Sequence, residues 1–330
     1  MDLAELTPYA ADLIDFGLVL VGFALLIGGG DALVRGALAL AARHHVSPLL
    51  VGLTVVAMGT SAPELVVSIL SAISGHADIA IGNVLGSNIA NILLVIGLPV
   101  MIYPMATAQP GVARQTNIMM LISLAFVGLL FLGRLSTLEG VVLLVGLGLF
   151  LYYAARGDVA ISALDEVTEQ LGEAKTRHLP YWQILLWLGL GIVLLPLGAE
   201  FVVDSGSSLA ESWGIGEAVI GLTIVALGTS LPELATTVAA AFRKNVDVAL
   251  GNVIGSNIFN MLAIVGITTL IADLEVAPAF LAYDVWVMLG VALFLTIAVW
   301  RRQVIGPLLG GLLLLGYGLY IYHLVAGALN

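Results

Sequence analysis

The sequence predicts an all-α polytopic membrane protein with ten transmembrane helices built as two inverted five-helix repeats. Three observations predict it. Apolar runs of roughly 20 residues recur from end to end, each enough to cross about 30 Å of hydrocarbon. The 330-residue chain is 60% hydrophobic and 10% charged, with mean hydropathy +1.10; a soluble chain carries about 25% charged residues. The two halves also carry the same motifs at one fixed offset. Backbone groups in lipid must bond internally, so the runs are helices. The short alternating strands of an outer-membrane barrel are absent from the pattern.

The first five spans fall at 15–41, 47–74, 79–105, 115–133 and 137–156, and the second five at 182–210, 216–242, 248–272, 280–300 and 303–326. The positive charges test this count. Arg35 and Arg43 close the first span and Arg114 follows the third. Arg156, Lys175 and Arg177 occupy the central loop, Arg243 and Lys244 follow the seventh span, and Arg301 and Arg302 the ninth. That places 10 of the 11 Lys and Arg on one side, with only Arg134 opposite. The positive-inside rule then sets the central loop in the cytoplasm and both termini outside an inner (plasma) membrane. The division is 1–156 for the first repeat, 157–180 for a cytoplasmic loop and 181–330 for the second. The N-terminal MDLAELTPYAADLID is acidic and lacks the basic start of a secretory signal. No cysteine is present, which excludes disulfides and thiolate metal sites. The net charge of −11 disfavours nucleic acid as a partner.

The repeat is explicit. GLTVVAMGTSAPE (52–64) and GLTIVALGTSLPE (221–233) agree at 10 of 13 positions, and GNVLGSNI (82–89) and GNVIGSNI (251–258) at 7 of 8, both offset by 169 residues. The same offset pairs Glu64 with Glu233, Asn91 with Asn260 and, more faintly, Asp31 with Glu200. Five helices per unit is an odd number, so the second unit enters the membrane from the other side. Such inverted repeats typify secondary transporters, with the site near the midplane between them.

The repeated segments carry the chemistry. At helical spacing Ser61, Glu64 and Ser68 share a face, with Thr60 four residues before the acid; Ser230, Glu233, Thr237 and Thr229 repeat the set. Pro63 and Pro232 each lack an N–H and crowd the carbonyl four residues back, at Gly59 and Gly228. A carbonyl freed in this way can turn toward a cavity. The next span adds Asn83, Ser87 and Asn91, repeated as Asn252, Ser256 and Asn260. Gly82 and Gly86, with Gly251 and Gly255, are small-xxx-small pairs that let helices approach closely.

Two buried carboxylates in low dielectric require a cation or protons. One divalent ion, two monovalent ions or two protons would each neutralise Glu64 and Glu233. The remaining donors are hydroxyls, amides and carbonyls, hard oxygens that suit Ca2+. No His, Cys or Met stands in the motifs, which argues against zinc or copper. A lone intramembrane glutamate can equally be a packing partner, and a lone proline an ordinary kink. Two matched settings favour the site. Asn88 and Asn257 fit packing as well as ligation. Asp31 and Glu200 read as structural or vestibule residues, the acids of 158–173 as a solvated loop without EF-hand spacing, and the histidines as surface or interfacial.

GTSAPE with GNVLGSNIAN, repeated as GTSLPE with GNVIGSNIFN, closely resembles the two α-repeats of the calcium/cation antiporter superfamily. The sodium/calcium exchanger branch, in its compact prokaryotic form, is nearest. The resemblance implies alternating access, with Ca2+ exchanged for Na+ at a cluster of sites between helices 2, 3, 7 and 8. It implies as ligands Glu64 and Glu233, the hydroxyls of Thr60, Ser61, Thr229, Ser230, Ser87 and Ser256, the Asn91 amide, and the Ala57 and Ala226 carbonyls. It also implies that helices 1 and 6 slide as a gate. One departure concerns Asn260, where well-studied exchangers often have Asp. The cluster here has two acids, which leaves Na+ against H+ as the coupling ion open. The implied function is a Ca2+/Na+ antiporter; a Ca2+/H+ antiporter is the alternative. Paired inverted repeats favour a carrier over a passive channel, and no nucleophile–base pair suggests an enzyme. No cofactor and no obligate protein partner are expected; the partners are the ions and the lipid bilayer.

Overall fold

The computed structural model describes residues 3–109, 111–156, 179–216, 220, 223–224 and 226–328. Most of the predicted central loop, including its acids, Lys175 and Arg177, lies outside the described residues. The first half comprises α1 (Leu3–His44), α2 (Pro48–Thr60), α3 (Ala62–Ile73), α4 (Ala77–Leu93), α5 (Pro99–Ile102), β1 (Met105–Ala106), α6 (Val112–Leu130), β2 (Arg134–Leu135) and α7 (Thr137–Ala155). The second comprises α8 (Tyr181–Ser212), α9 (Ala226–Gly228), α10 (Leu231–Phe242), α11 (Val246–Ile271), β3 (Leu274–Glu275), α12 (Pro278–Ala282), α13 (Asp284–Trp300), β4 (Val304–Ile305) and α14 (Pro307–Ala328).

Among the described residues six helices are long and apolar enough to cross a membrane: α1, α6, α7, α8, α11 and α14. The predicted span 47–74 is a pair, α2 and α3, bent by 43° at Ser61. Counted as one span, the pair brings the number to seven. The predicted span 79–105 divides at Leu93. There the N–H groups of Leu94 and Val95 both reach the Ala90 carbonyl, at 2.8 and 3.0 Å, and Pro99 restarts a short helix where its missing N–H costs nothing. The predicted span 216–242 contributes α9 and α10, part of it lying outside the described residues. Ser47 caps the start of α2 by accepting from Leu50 N–H at 3.1 Å, and Asn245 caps α11 by accepting from Val248 N–H at 3.0 Å.

The 169-residue offset recurs in backbone geometry. Positive φ angles occur at His45 and Gly214, at Gly75 and Lys244, and at Gly133 and Arg302. In each pair glycine holds in one half the left-handed turn that a side-chain-bearing residue adopts in the other. Two antiparallel ribbons tie the halves together: β1 pairs with β4 (Met105 opposite Ile305), and β2 with β3 (Leu135 opposite Leu274).

The core is centred on α4 and α11, whose inward faces are continuously buried. The long helices α1 and α8 cross on glycine. A Cβ on Gly22 would lie 2.8 Å from the Gly198 carbonyl, and one on Gly198 equally close to the Gly22 carbonyl. This pair leans on α10 across an apolar groove of about 410 Å³ lined by Phe23, Ile27, Leu234 and Val238. At one end of the groove Asp31 accepts from Arg243 Nε at 2.9 Å and pairs with Arg35 at 2.8 Å. The structure thus gives Asp31 a structural role. Its counterpart Glu200 has Asp204 where Arg35 stands and Ser74 where Arg243 stands, so the ionic contact of Asp31 with Arg35 and Arg243 is not repeated across the offset.

Candidate ion-binding site

Each acid stands just past a break. Ser61 leaves the helical region (φ −83°, ψ 6°) and Ser230 does likewise (φ −87°, ψ 0°). The prolines occupy the first turns of α3 and α10, where no N–H is needed. The break expected beside each proline is present, and the proline falls in the first turn of the helix that restarts after it. Glu64 and Glu233 therefore fall in helix first turns, where the helix dipole favours negative charge. They are 1% and 0% exposed.

The polar atoms around them converge from both halves. Ser61 Oγ donates to Glu233 Oε1 at 3.1 Å, across 172 positions of sequence. Ser256 Oγ lies 3.5 Å from the same oxygen. The Thr60 hydroxyl sits 3.2 Å from Asn252 Oδ1 and 3.4 Å from Ser256 Oγ. Both oxygens of Glu64, the second oxygen of Glu233, the Ser230 hydroxyl and the Oδ1 atoms of Asn91 and Asn260 are buried with no hydrogen-bond partner. Unpaired buried acceptors are costly. Their concentration here marks a place prepared for a ligand rich in positive charge. Among the described residues no three of His, Cys, Asp and Glu converge.

Four asparagines, two from each half, orient the site. Asn91 Nδ2 donates to Asn257 Oδ1 at 3.0 Å, and Asn260 Nδ2 to Asn88 Oδ1 at 3.1 Å. Asn88 Nδ2 in turn reaches Met288 Sδ and Asn257 Nδ2 reaches Met119 Sδ, both at 3.7 Å. With every amide N–H2 engaged outward, the Oδ1 atoms of Asn91 and Asn260 are the ones left free. Both residues also sit at widened turns: a π turn runs over Asn260–Ile264, and the Ala90 carbonyl accepts from two N–H groups. Such turns frequently mark functional sites. The residue patterns left Asn88 and Asn257 ambiguous; the structure makes them positioning residues. Their sulfur partners carry no pattern in sequence that links them to the motifs. Asn88→Leu removes the acceptor that holds Asn260. The affinity of the site for its cation is expected to fall roughly three- to tenfold, the effect of about one hydrogen bond, which the cation dependence of the melting temperature measures.

The expected stripes are only partly shared. Asn83 and Asn252 act as braces, donating to the Glu64 and Glu233 carbonyls at 3.1 and 3.3 Å and to Ser68 and Thr237 hydroxyls at 3.0 Å each. Ser68 and Thr237 are thus tied to the neighbouring helix. Ser87 is buried on α4. The Ala57 carbonyl accepts from Ser61 N–H at 3.0 Å and lies 3.2 Å from the Thr60 hydroxyl. Ala226 begins α9. The glycines of α11 meet α2 directly: Cβ atoms on Gly251 and Gly255 would lie 2.7 and 2.6 Å from the Leu49 and Leu53 carbonyls. The residues related by the offset to Leu49 and Leu53, Ala218 and Leu222, lie outside the described residues. The two halves are not equivalent. Thr60 and Asn252 are fully buried, whereas their counterparts Thr229 and Asn83 keep partial exposure.

Known proteins resemble this chain in sequence and in fold. The inner membrane protein YrbG of Escherichia coli is 36% identical over 295 residues, 88% of this chain and 90% of that one. The sodium/calcium exchanger MaX1 of Methanosarcina acetivorans is 33% identical over 86% of this chain and 91% of its own. Among solved structures the sodium-calcium exchanger NCX_Mj superposes with a TM-score of 0.80 at 31% identity, covering 94% of this chain and 98% of that chain. The family model described as sodium/calcium exchanger protein matches twice, over 14–156 and 183–326, once for each half that carries a Glu motif. Together with the duplicated site this places the chain in the sodium/calcium exchanger family: a membrane transporter, not an enzyme.

Proposed function

We propose that this cation antiporter exchanges Ca2+ for Na+ by alternating access, at one site built around Glu64 and Glu233. The observation that carries the reading is the pair of buried carboxylates with three unpartnered oxygens, ringed by neutral oxygens from both halves. The ligands are these two acids, the hydroxyls of Thr60, Ser61, Ser87, Thr229, Ser230 and Ser256, the Oδ1 atoms of Asn91 and Asn260, and the Ala57 and Ala226 carbonyls. The chain works as ten spans in two inverted units, 1–156 and 181–330, joined by a cytoplasmic loop, with both termini outside. In support, Arg43 lies over the Tyr181 ring at 3.9 Å, Arg114 over Tyr153 at 4.0 Å and Arg156 over Tyr152 at 4.6 Å. Basic and aromatic side chains so paired suit the cytoplasmic interface.

The unequal halves supply the mechanism. Where two copies of one unit adopt different states, the site is open past one and shut past the other, and exchanging the states exposes it on the opposite face. Helices α1 and α8, crossed on glycine and leaning on α10 over an apolar groove, form the sliding element. Ca2+ and Na+ compete for the same two carboxylates, so each displaces the other.

Proton coupling is the second reading, because two carboxylates in a dry site also take up protons. Ca2+ uptake into vesicles loaded with Na+ is compared with uptake into vesicles loaded with choline at one fixed pH. Uptake that requires internal Na+ is the expected result. Equal uptake in both, collapsing with the pH gradient, reassigns the coupling to protons.

A further inference from the structure

We propose that the groove between α1 and α10 is a phospholipid site. One acyl chain lies along the groove, and the lipid phosphate sits at its charged end, on Arg243 and Lys244. The proposal needs the chain in a bilayer and does not rest on which ions are exchanged.

The groove has the form of an amphiphile. Phe23, Ile27 and Asp31 recur every four residues and share one face of α1; Leu231, Leu234, Val238 and Phe242 form the facing stripe on α10. Both stripes are apolar up to the end where Asp31 and Arg243 meet. At about 1.5 Å per residue, Leu231 to Arg243 spans about 18 Å. One leaflet of hydrocarbon is about 15 Å deep, half of the 30 Å core. The groove is thus one acyl chain long, with its polar end where a headgroup stands. Its rim is open, with Ile27 70% and Phe242 69% exposed, and in a membrane-spanning chain such a rim meets lipid. Its floor is closed: a Cβ on Gly30 would lie 2.8 Å from the Ala235 carbonyl oxygen, so α1 and α10 touch there. Water gains nothing between walls of leucine, valine and phenylalanine, and a void forfeits contacts along both. An acyl chain is the filler that the surroundings supply.

Charge selects the headgroup. Asp31 is one carboxylate between two guanidinium groups, those of Arg35 and Arg243, which leaves one positive charge in excess. Lys244 follows on the left-handed turn that ends α10; it is exposed and has no ion pair among the described residues. Phosphate is the anion that a bilayer offers at that depth. The 169-residue offset supplies the contrast. Glu200, Asp204, Ser74 and Gly75 stand where Asp31, Arg35, Arg243 and Lys244 stand. That set holds two acids and no cation, and would repel a phosphate. A lipid seated between α1 and α10 binds only while the helices keep this spacing, so it favours this arrangement over one in which α1 has moved.

The test uses full-length protein purified in detergent and offered dioleoyl phosphatidylglycerol, dioleoyl phosphatidylcholine or glycerol phosphate. Native mass spectrometry counts what is retained. One phosphatidylglycerol is expected to stay bound, preferred over phosphatidylcholine roughly 25-fold, about fivefold for each of the two positive charges. Glycerol phosphate, which has no chain, is expected not to be retained. Lys244→Gln should lower the preference about fivefold. Ile27→Trp fills the groove from its open rim and Val238→Trp from the opposite wall, and each should lose the lipid. Ile27 is exposed, so its replacement leaves the packed interior alone and keeps the test valid if Val238→Trp fails to fold. Equal retention of the two lipids by the wild type overturns the proposal, as does wild-type retention by Ile27→Trp. Retention of glycerol phosphate as strong as that of the lipid shows an anion seat without a chain, and overturns it too. None of these readouts involves Ca2+ uptake, so failure of this proposal and failure of the antiport reading are told apart.

Discussion

Glu64→Gln and Glu233→Gln are each expected to abolish Ca2+ exchange and to leave the folded protein in the membrane. Glutamine keeps the shape of glutamate and removes one charge. Neither oxygen of Glu64 has a hydrogen-bond partner in the fold, so no native contact is lost at that position, and the cost of burying a charge disappears. Glu233 accepts from Ser61, and from Ser256 at the limit of bonding distance; a glutamine amide oxygen can accept the same bonds. Cation binding has no such substitute. Removing one of two charges that hold a buried ion costs about 3–5 kcal/mol, roughly 150- to 5,000-fold in affinity. Wild-type protein should melt at higher temperature as Ca2+ is added, by the linkage of binding to folding. Both variants should melt normally without Ca2+ and lose this response. A variant that exchanges Ca2+ at the wild-type rate removes its glutamate from the site.

The repeat is where the sequence was most informative, because duplication writes geometry twice. The offset that pairs GTSAPE with GTSLPE also relates the bonds of Asn83 and Asn252, the two Asn–Met contacts and three pairs of left-handed turns. Residue spacing alone yields these equivalences, since spacing is what duplication preserves. It points to an opening of the backbone at each proline motif but does not place the break at Ser61. Helical periodicity runs through the motif, and proline fits a kinked helix as well as a restarted one; the winner depends on whether Ser61 packs better outside the helix, which tertiary contacts decide. The widened turns at Asn91 and Asn260 are equally silent, because one extra residue in a turn leaves composition unchanged. The roles of Asn88 and Asn257 needed the positions of Met119 and Met288, on helices far away in sequence. The ribbons β1–β4 and β2–β3 are two residues per strand, too short for alternation to register. Hydropathy placed α1, α6, α7, α8, α11 and α14 well, but overran at 79–105, where lost helical bonding rather than lost apolarity ends α4.

Gly255→Ala is expected to cost exchange about tenfold or more and to lower the melting temperature, although it alters no ligand. The added Cβ would lie 2.6 Å from the Leu53 carbonyl oxygen, 2.7 Å from the Ala57 Cβ and 2.8 Å from the Leu53 Cα. These are mostly backbone atoms of α2, so no side chain can rotate away and the helix itself must move. Overpacking of this kind costs about 1–3 kcal/mol. It works against the gain of up to about 1 kcal/mol that alanine brings over glycine in a helix. The displaced segment holds Ala57, and Thr60 one turn on, whose hydroxyl lies against Asn252 and Ser256. A shift approaching 1 Å at such a site is enough to lose on the order of 100-fold in function. Gly318→Ala on α14 is the control. A Cβ there meets nothing within 4 Å, so the same chemical change should leave exchange untouched and melting unchanged or slightly raised. Measured side by side, the two variants separate the propensity of alanine from the approach of α11 to α2. If Gly255→Ala matches Gly318→Ala in both exchange and melting, the close crossing does not hold the two helices in place, and the Thr60 side of the site is positioned by something else.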